Sequence, residues 1–503
     1  MDKVSTKITA MVLGLVLAGV SDRLHAQDTT TTTSQDQNGA APAATGPDNA
    51  SDTVENPPLS GLDVPSFEPG FGARSYLLPR LQVNEAVDTN RTGQLTTANG
   101  TTVNRPAVKG VTRALGSLTL QKLWKIHPLD VDYAGGFSWY QGADTYYQVH
   151  SLGAVQRYLW RTGQLAVRDS FSYLPTGTFG FNSFGGSGGL TGGAGSGGGL
   201  TGGLNGGGGV GSIGNPSFGS TVNQPRISNT SVIDIMQSIS PRNSVTVAGG
   251  YSFNDFLDNP TGYVNSQQVS GQIGFSRQLT RHDQIAVLYA YQNFHFPQQD
   301  SGSFNTNSWH VLYGHRLTGK LDLQVGGGPQ WIHRYSWTAA NPGPPPTPAT
   351  PITNSFINAS GRASLNYLYS SRTNMNLRYS HAANTGSGFF FGANTDAIRL
   401  AVNHALTRRW RVGLDTGYSY SKRILNLKTT QAGNSTAYRY WYAGGTLRRQ
   451  LSRHVGAFAN YQYDSIGFSS GFCSNANGTC ATGYGRHVGL IGLDWTPSPI
   501  RLD

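Results

Sequence analysis

The sequence predicts an all-β chain that closes into a transmembrane antiparallel up-and-down β-barrel of about 18 strands, with 16 as the fallback. Stretches of alternating apolar and polar residues recur along the chain, and short turns alternate with longer loops. Charged residues make up only 13% of the 503 residues, although Tyr, Phe and Trp are plentiful. This composition is typical of a barrel whose exterior faces lipid, and the lack of any run of about 18 apolar residues argues against helical membrane spans.

Residues 1–26 are predicted to be a cleaved signal peptide that exports the chain. Lys3 and Lys7 give a basic start, Ile8 to Val20 form an apolar stretch too short to span a bilayer, and Leu24-His25-Ala26 form a passable cleavage site. An uncleaved anchor is the alternative. Residues 27–74 are polar, rich in Thr, Gln, Ala and Pro and without periodicity, which predicts a disordered periplasmic tail. The barrel is therefore assigned to residues 75–503.

A five-residue pattern marks the end of a strand before a short turn. In VNHAL, Val402, His404 and Leu406 share one face of a strand, and TRRW follows directly as the turn and the start of the next strand. Further copies begin at Leu120, Val155, Ile235, Phe275, Tyr313, Leu365 and Leu447. Eight short turns join 16 strands, and one more strand on each side, from Ser75 and from Arg486, gives 18. Pro79 weakens the first strand, which is why 16 remains the fallback.

The connections at the other end of the hairpins are longer, which predicts periplasmic short turns and extracellular long loops. A Gly-rich loop at about 176–226 lacks the Lys-Ser/Thr of a phosphate-binding loop, and it either projects outward or folds into the pore. Cys473 and Cys480 flank the last long loop, and an exported protein meets an oxidising compartment. A disulfide between them is therefore predicted.

Basic and aromatic residues near the short turns are predicted to anchor the barrel at the membrane boundary, where a long basic side chain can reach lipid phosphates. The predicted anchors are Lys122, Trp124, Arg157, Arg277, His404, Trp410 and Arg449. The alternative is that they are ordinary solvated charges beside turns. Asp169 falls on the outward parity between Val167 and Phe171, which predicts a bulge or a misplaced register.

The inward parity is predicted to be cationic. The pore-lining candidates are Arg113, Arg168, His310, Arg316, Arg362, Arg378, Arg399, Asp415 and Asp464, and the same parity count adds His150 and Asp322. A cationic, water-filled lumen favours anions by raising their local concentration. The alternative is that Arg and Asp pair across neighbouring strands and stiffen the wall, as Arg399 and Asp415 could do.

No catalytic set, metal-ligand spacing, cofactor motif or nucleic-acid patch is recognisable. Ser380 with His381 and Ser336 with His333 are isolated fragments of the kind that arise by chance among 12 histidines. The sequence therefore predicts a protein that is not an enzyme and binds no nucleic acid. The expected partners are outer-membrane lipid, a small hydrophilic solute or a polysaccharide, and the barrel-assembly machinery, and a homo-oligomer is left open.

Together, the export signal, the polar tail, the alternating strands and the basic turns resemble a Gram-negative outer-membrane β-barrel of porin type. The segment LPRLQVNEAVDTNRTG, from Leu78 to Gly93, is similar to the opening of β-barrel porins associated with exopolysaccharide systems. The resemblance implies an outer-membrane channel for passive diffusion of small solutes, and the predicted cationic lumen favours anionic ones. The alternatives are a barrel component of exopolysaccharide export or secretion, and a structural or adhesive surface barrel. The chain departs from the usual pattern at its end, because Trp495 is followed by TPSPIRLD rather than closing the sequence.

Overall fold

The computed structural model of the protein describes residues 75–89, 96–97, 108–124, 127–141, 146–174, 225–257, 264–297, 302–337, 351–370, 372–386, 390–425, 436–473 and 480–502. Within these ranges the regular elements are β-strands. No helix in the described ranges is long and apolar enough to cross a membrane. The predicted signal peptide, periplasmic tail and most of the Gly-rich loop lie outside the described residues.

Eighteen long strands form the architecture. They are β1 (Tyr76–Asp88), β2 (Lys109–Lys122), β3 (Leu129–Tyr140), β4 (Tyr146–Trp160), β5 (Gly163–Leu174), β6 (Arg226–Ser240), β7 (Asn243–Phe256), β8 (Ser266–Gln278), β9 (Asp283–His295), β10 (Ser303–Thr318), β11 (Leu321–Trp337), β12 (Pro351–Ser370), β13 (Thr373–Asn384), β14 (Ala393–Ala405), β15 (Trp410–Arg423), β16 (Ala437–Gln450), β17 (Val455–Cys473) and β18 (Cys480–Trp495). Two further strands of two residues each, Thr96–Thr97 and Ile500–Arg501, pair at the ends of β18 and β1.

Each long strand pairs antiparallel with the next, and β18 returns to pair with β1, so the sheet closes. The closing register runs from Leu81 opposite Trp495 to Asp88 opposite Val488. Pro79 belongs to β1, opposite Leu118 of β2, and it lies just outside the register that β1 shares with β18. A proline at that point removes no hydrogen bond from the closing ladder, and the prediction of 18 strands is confirmed.

All eight predicted short turns connect consecutive strands. In six of them a hydroxyl near the end of the strand accepts a backbone N–H two or three residues further along, and these residues are Ser240, Thr280, Thr318, Ser370, Thr407 and Ser452. Thr280, for example, accepts from the N–H groups of His282 and Asp283, both at 3.0 Å. Ser and Thr stabilise tight turns in this way, which explains why the turns are short and polar.

The two faces of the wall have opposite polarity. On β1, Leu81, Val83 and Val87 are each more than half exposed, whereas Gln82 and Asn84 on the other face are buried. The same exposure of apolar residues recurs around the barrel, as at Ile233, Val269, Ile273, Val311, Leu414, Ile491 and Leu493. An apolar exterior around a polar interior is the arrangement of a barrel that sits in lipid.

One buried ion pair crosses the closing seam. Arg486 of β18 donates from Nε to Asp88 Oδ1 of β1 at 2.8 Å, and its Nη2 reaches Oδ2. Both side chains are 1% exposed. The carboxylate and the guanidinium therefore meet in the two-pronged geometry that favours a strong charged hydrogen bond.

Asp88→Asn should lower the free energy of unfolding by up to about 3–5 kcal/mol, because it removes the carboxylate that the buried Arg486 guanidinium contacts with two nitrogens. Urea unfolding of the barrel refolded into lipid vesicles, followed by tryptophan fluorescence, measures this. The matched control is Asp88→Leu combined with Arg486→Met, which removes both charges and should recover most of the loss. Equal stability of Asp88→Asn and the wild-type chain would contradict a role for the pair in closure.

Candidate functional site: the lumen of the barrel

The lumen is built from every second residue of each strand. Arg113, Arg168, His310, Arg316, Arg362, Arg378, Arg399, Asp415 and Asp464 all have the inward parity of their strands, as their register partners and burial show. Asp322 is inward as well, opposite Arg316. The effect of these inward residues on a solute stays a prediction.

Three of these arginines lie on consecutive strands. Arg378 of β13 is the direct register partner of Arg399 of β14, and it faces Ser364 of β12 on its other side. Arg362 of β12 lies two residues from Ser364 and opposite Ser380. We call Arg362, Arg378 and Arg399 the arginine strip. Ser364 and Ser380 lie on the same inward face, opposite Arg378 and Arg362.

Several inward arginines are paired with aspartates. Arg399 Nε donates to Asp415 Oδ1 at 3.0 Å, and the Tyr442 hydroxyl donates to the same oxygen at 2.7 Å. Further inward pairs join Arg168 with Asp234, Arg316 with Asp322, Arg448 with Asp494 and Arg486 with Asp88. Ion pairs between strands, which the alternative interpretation expects to stiffen the wall, are therefore present beside the arginine strip. Asp464, at 0% exposure, accepts instead from Tyr440 and Gln462, both at 2.7 Å.

Two inward contacts pass over an intervening strand because a glycine there has no side chain. His310 of β10 reaches Ser360 of β12 across β11, with Nε2 and Oγ 2.6 Å apart, above the position of Gly328. Arg448 of β16 reaches Asp494 of β18 at 2.6 Å across Gly456 of β17. A Cβ at Gly456 would lie 2.6 Å from Asp494 Oδ1, so a larger residue would block the approach.

Aromatic residues fill part of the long-loop half of the lumen. Phe390 packs with inward residues from β7, β16 and β17, in a cluster of Phe256, Ala393, Tyr438, Tyr440, Tyr442, Ile466 and Phe468. Phe391 packs with residues from β9, β10, β11 and β13, in a second cluster of Val264, Phe294, Phe296, Phe304, Ile332, Ala383, Ile424 and Leu425. We call these two clusters the aromatic barrier. They link strands from distant parts of the wall, so this level of the barrel is narrowed by side chains.

The segment that carries Phe390 and Phe391 turns inward between two glycines with left-handed backbone. Gly386 has φ 80° and Gly392 has φ 78°, and the Ile424 N–H donates to the Gly392 carbonyl at 3.0 Å. Glycine populates this region without steric cost. The segment comes directly before Ala393, the first residue of β14. Arg399 lies six residues further along β14, so the barrier lies on the long-loop side of the arginine strip. Sequence reasoning missed it, although a Phe triplet bracketed by glycines was its signal.

The structure reverses the predicted directions of two side chains on β4. Arg157, predicted as an outward anchor, is the register partner of the buried Ala166 and therefore faces inward. His150, predicted to be inward, faces outward with Tyr133, whose Oη lies 2.9 Å from His150 Nδ1. Both errors come from one phase error on the same strand.

The other predicted anchors keep their outward positions. Arg449 stacks over the Trp410 ring at 5.1 Å, His404 Nδ1 lies 2.8 Å from Thr373 Oγ1, and Lys122 Nζ donates to the Leu502 carbonyl at 3.1 Å. Arg277 and Trp124 are exposed. Their contact with lipid phosphates stays a prediction.

Asp169 also faces outward, as counted from the sequence, but the predicted bulge is wrong. The β5–β6 register is unbroken from Gly163 to Leu174. The carboxylate is accommodated by neighbours on β6, since Ser231 Oγ donates to Asp169 Oδ1 at 2.5 Å and Asn229 Nδ2 at 3.2 Å.

The remaining sequence candidates do not form a catalytic site. Ser380 faces inward and His381 outward, where His381 Nδ1 lies 2.7 Å from Asp396 Oδ1. His333 Nδ1 lies 2.7 Å from Ser355 Oγ, a different serine from the predicted one. The described ranges contain no cluster of ligands that could hold a metal ion. Cys473 and Cys480 are paired through their backbones, while their side chains, and so the disulfide prediction, lie outside what the structure describes.

Comparison with solved structures finds outer-membrane barrels. Pseudomonas aeruginosa OccK2 (OpdF), in complex with glucuronate, is 9% identical with a TM-score of 0.41 over 85% of this chain and 99% of that chain. The E. coli ferric-catecholate import receptor Fiu is 9% identical with a TM-score of 0.41, over 86% of this chain and 82% of its own. P. aeruginosa OpdQ is 10% identical with a TM-score of 0.39, over 84% and 98%. Similarities of this size carry no functional assignment.

No protein-family model matches the sequence, and no curated protein matches it.

Gly392→Ala should lower the free energy of unfolding by about 1–3 kcal/mol, because φ 78° is strained for alanine and the new Cβ would clash with the Phe304 ring. Urea unfolding in vesicles measures the change. Gly489→Ala is the control, since a Cβ there meets nothing within 4 Å. An equal effect of the two substitutions would contradict the packing of this segment inside the barrel.

Proposed function

We propose that this chain is a porin-like outer-membrane channel for the passive diffusion of small anionic solutes. The arginine strip carries the proposal, because it places three cationic side chains side by side on the inner wall of a closed barrel. Fixed cationic groups in a confined lumen raise the local concentration of anions and lower their barrier to entry.

The balance of inward charge supports anion preference. The inward arginines are Arg80, Arg113, Arg157, Arg168, Arg226, Arg316, Arg334, Arg362, Arg378, Arg399, Arg411, Arg423, Arg448 and Arg486, against the inward aspartates Asp88, Asp130, Asp132, Asp234, Asp322, Asp415, Asp464 and Asp494. Arginine remains charged at any physiological pH. In the described strands the inward arginines therefore outnumber the inward aspartates.

The aromatic barrier supports a small solute. Phe390 and Phe391 are 1% and 7% exposed, so their rings are packed against the opposing walls rather than standing free in the lumen. A solute that enters from the long-loop end meets these rings before it reaches the arginine strip. A narrow lumen lined with few polar groups at that level excludes large hydrated solutes.

Replacing Arg362, Arg378 and Arg399 together with Gln should reduce the preference for chloride over potassium, since the amide keeps the length of the side chain but removes the charge. Reversal potentials of single channels in planar bilayers under a KCl gradient measure this. The control is Arg277→Gln, which removes an outward charge and should leave the reversal potential unchanged. Unchanged selectivity in the triple variant would refute the role of the strip.

Absence of any conductance from the wild-type chain at all voltages would overturn the channel itself. It would favour the two alternatives, a barrel component of exopolysaccharide export and a structural or adhesive surface barrel.

Phe390→Ala combined with Phe391→Ala should increase single-channel conductance, because it removes the two rings that join the walls at the barrier. The same bilayer recordings measure the effect. Phe137→Ala, on an outward and 40% exposed ring, is the control and should leave conductance unaltered. Equal conductance in the double variant and the wild-type chain would show that ions do not pass through the barrier.

A further inference from the structure

The chain before the barrel is acidic, whereas the inner wall of the barrel is rich in arginine. Residues 27–73 contain no Lys or Arg, and the acids closest to the barrel are Asp48, Asp52, Glu55, Asp63 and Glu68. We call residues 48–68 the acidic segment. A chain with one sign of charge is attracted to a surface of the opposite sign, most strongly where low-dielectric walls focus the field, as they do in a lumen.

The acidic segment is tethered at the short-turn end of the barrel. Ser75 is 1% exposed, its Oγ accepts from the Leu123 N–H at 3.0 Å, and its carbonyl accepts from the Leu502 N–H at 3.2 Å. These contacts fix the point at which the preceding chain joins the wall. Glu68, seven residues before Ser75, is therefore held close to the short-turn mouth of the lumen.

Inward arginines continue from the arginine strip to that same mouth. Arg411, the second residue of β15, is exposed and is the register partner of Arg448 on β16. Arg378 is the sixth residue of β13, so it lies about 17 Å further into the lumen at about 3.3 Å per residue. The strip and these two arginines form one basic surface on β12 to β16.

The inward aspartates leave arginine in excess on this surface. Asp415 of β15 and Asp494 of β18 each pair with one of its arginines. Asp130 and Asp132 also lie near the short-turn end, but they belong to β3, on the other side of β1 from the basic surface. An acidic chain that enters from the mouth is therefore attracted to β12 to β16.

The acidic segment is long enough to reach the arginine strip. Six strand spacings of about 4.8 Å separate β1 from β13, which is roughly 29 Å, and Arg378 lies about 17 Å from the mouth. Glu55 lies 20 residues before Ser75, and 20 extended residues span about 66 Å. The same 20 residues have a mean span of about 25 Å even as a random coil. The tether therefore allows several acids to meet the basic surface.

We propose that the acidic segment binds in the lumen, on the basic surface of β12 to β16, and competes there with incoming anions. The binding follows from charge and reach, whereas the competition rests on the proposed function. A tether holds the segment at an effective concentration of millimolar order, so it competes with dilute anions although each of its contacts is weak. A solute that passes has to displace the acids from the arginines.

Photo-crosslinking in the full chain tests the binding and needs no conductance. A photoreactive residue replaces Leu59, between Glu55 and Asp63, in the barrel refolded into lipid vesicles at low salt. Mass spectrometry should find residue 59 joined to peptides of β12 to β16. High salt should abolish this product, because the Debye length is only about 3 Å at about 1 M. A neutralised variant should also lose it, and its substitutions are Asp48→Asn, Asp52→Asn, Glu55→Gln, Asp63→Asn and Glu68→Gln.

A matched control keeps all the charges of the acidic segment. It changes the same number of residues, by Asn49→Gln, Ser51→Thr, Thr53→Ser, Asn56→Gln and Ser60→Thr, and it should retain the product. The heat-dependent gel shift of a folded barrel verifies that each variant has folded. No product within the barrel, a product outside β12 to β16, or an undiminished product in the neutralised variant would overturn the proposal.

Planar-bilayer recordings test the competition. At the polarity that drives negative charge from the short-turn end into the lumen, the wild-type channel should show brief closures that are absent at the opposite polarity. The neutralised variant should lose these closures and keep its open conductance and its preference for chloride. A synthetic peptide of residues 48–68 should restore them from one side of the bilayer only, and the same peptide with the neutral substitutions should not.

The recordings and the crosslinks separate this proposal from the proposed function. Absent closures in the wild-type chain, or undiminished closures in the neutralised variant, overturn the competition while an anion-selective conductance leaves the proposed function intact. No conductance from any variant overturns the proposed function, and the crosslinks then decide alone whether the acidic segment binds in the lumen.

Discussion

A backbone N–H or C=O group exposed to lipid has no water to bond, so a sheet that crosses a membrane must close on itself. In this chain closure depends on the register between β1 and β18, which share eight consecutive register pairs from Leu81 to Asp88. The ion pair of Asp88 with Arg486 lies at the long-loop end of that seam, and Pro79 lies beyond its other end. Pro79, which cannot donate a backbone hydrogen bond, therefore lies outside the closing register, and the buried Asp88–Arg486 ion pair lies within it.

Closure also explains which structural features the sequence could predict. Period two with one apolar face is a local property, so the strand number, the eight short turns and the inward parity of Arg362, Arg378 and Arg399 follow from residues close together in the chain. The hydroxyls of the turns act over two or three residues and are equally local. These features can be predicted without knowing which strands meet across the lumen.

The errors have physical causes of two kinds. On β4 the inward face carries apolar residues, since Val149 and Val155 are both buried, so an apolar residue does not mark the outward face there. Taking Val155 as outward assigns the wrong phase to the strand, which displaced both Arg157 and His150. The aromatic barrier is different, because Phe390 meets Phe256 and Tyr438 only after the wall has closed. Contacts across the lumen join residues far apart in sequence, and no local period encodes them.

The order of the barrier and the arginine strip along the pore has an electrostatic consequence. Packed aromatic rings exclude water and lower the local dielectric constant, so a fixed charge beside them acts over a longer distance than it would in bulk water. Tyr442 connects the two, since its ring belongs to the barrier and its hydroxyl donates to Asp415, the partner of Arg399. The Asp415 carboxylate thus accepts both from Arg399 and from a tyrosine of the barrier. In the proposed channel, one tyrosine therefore connects the aromatic barrier with the charged residues of the arginine strip.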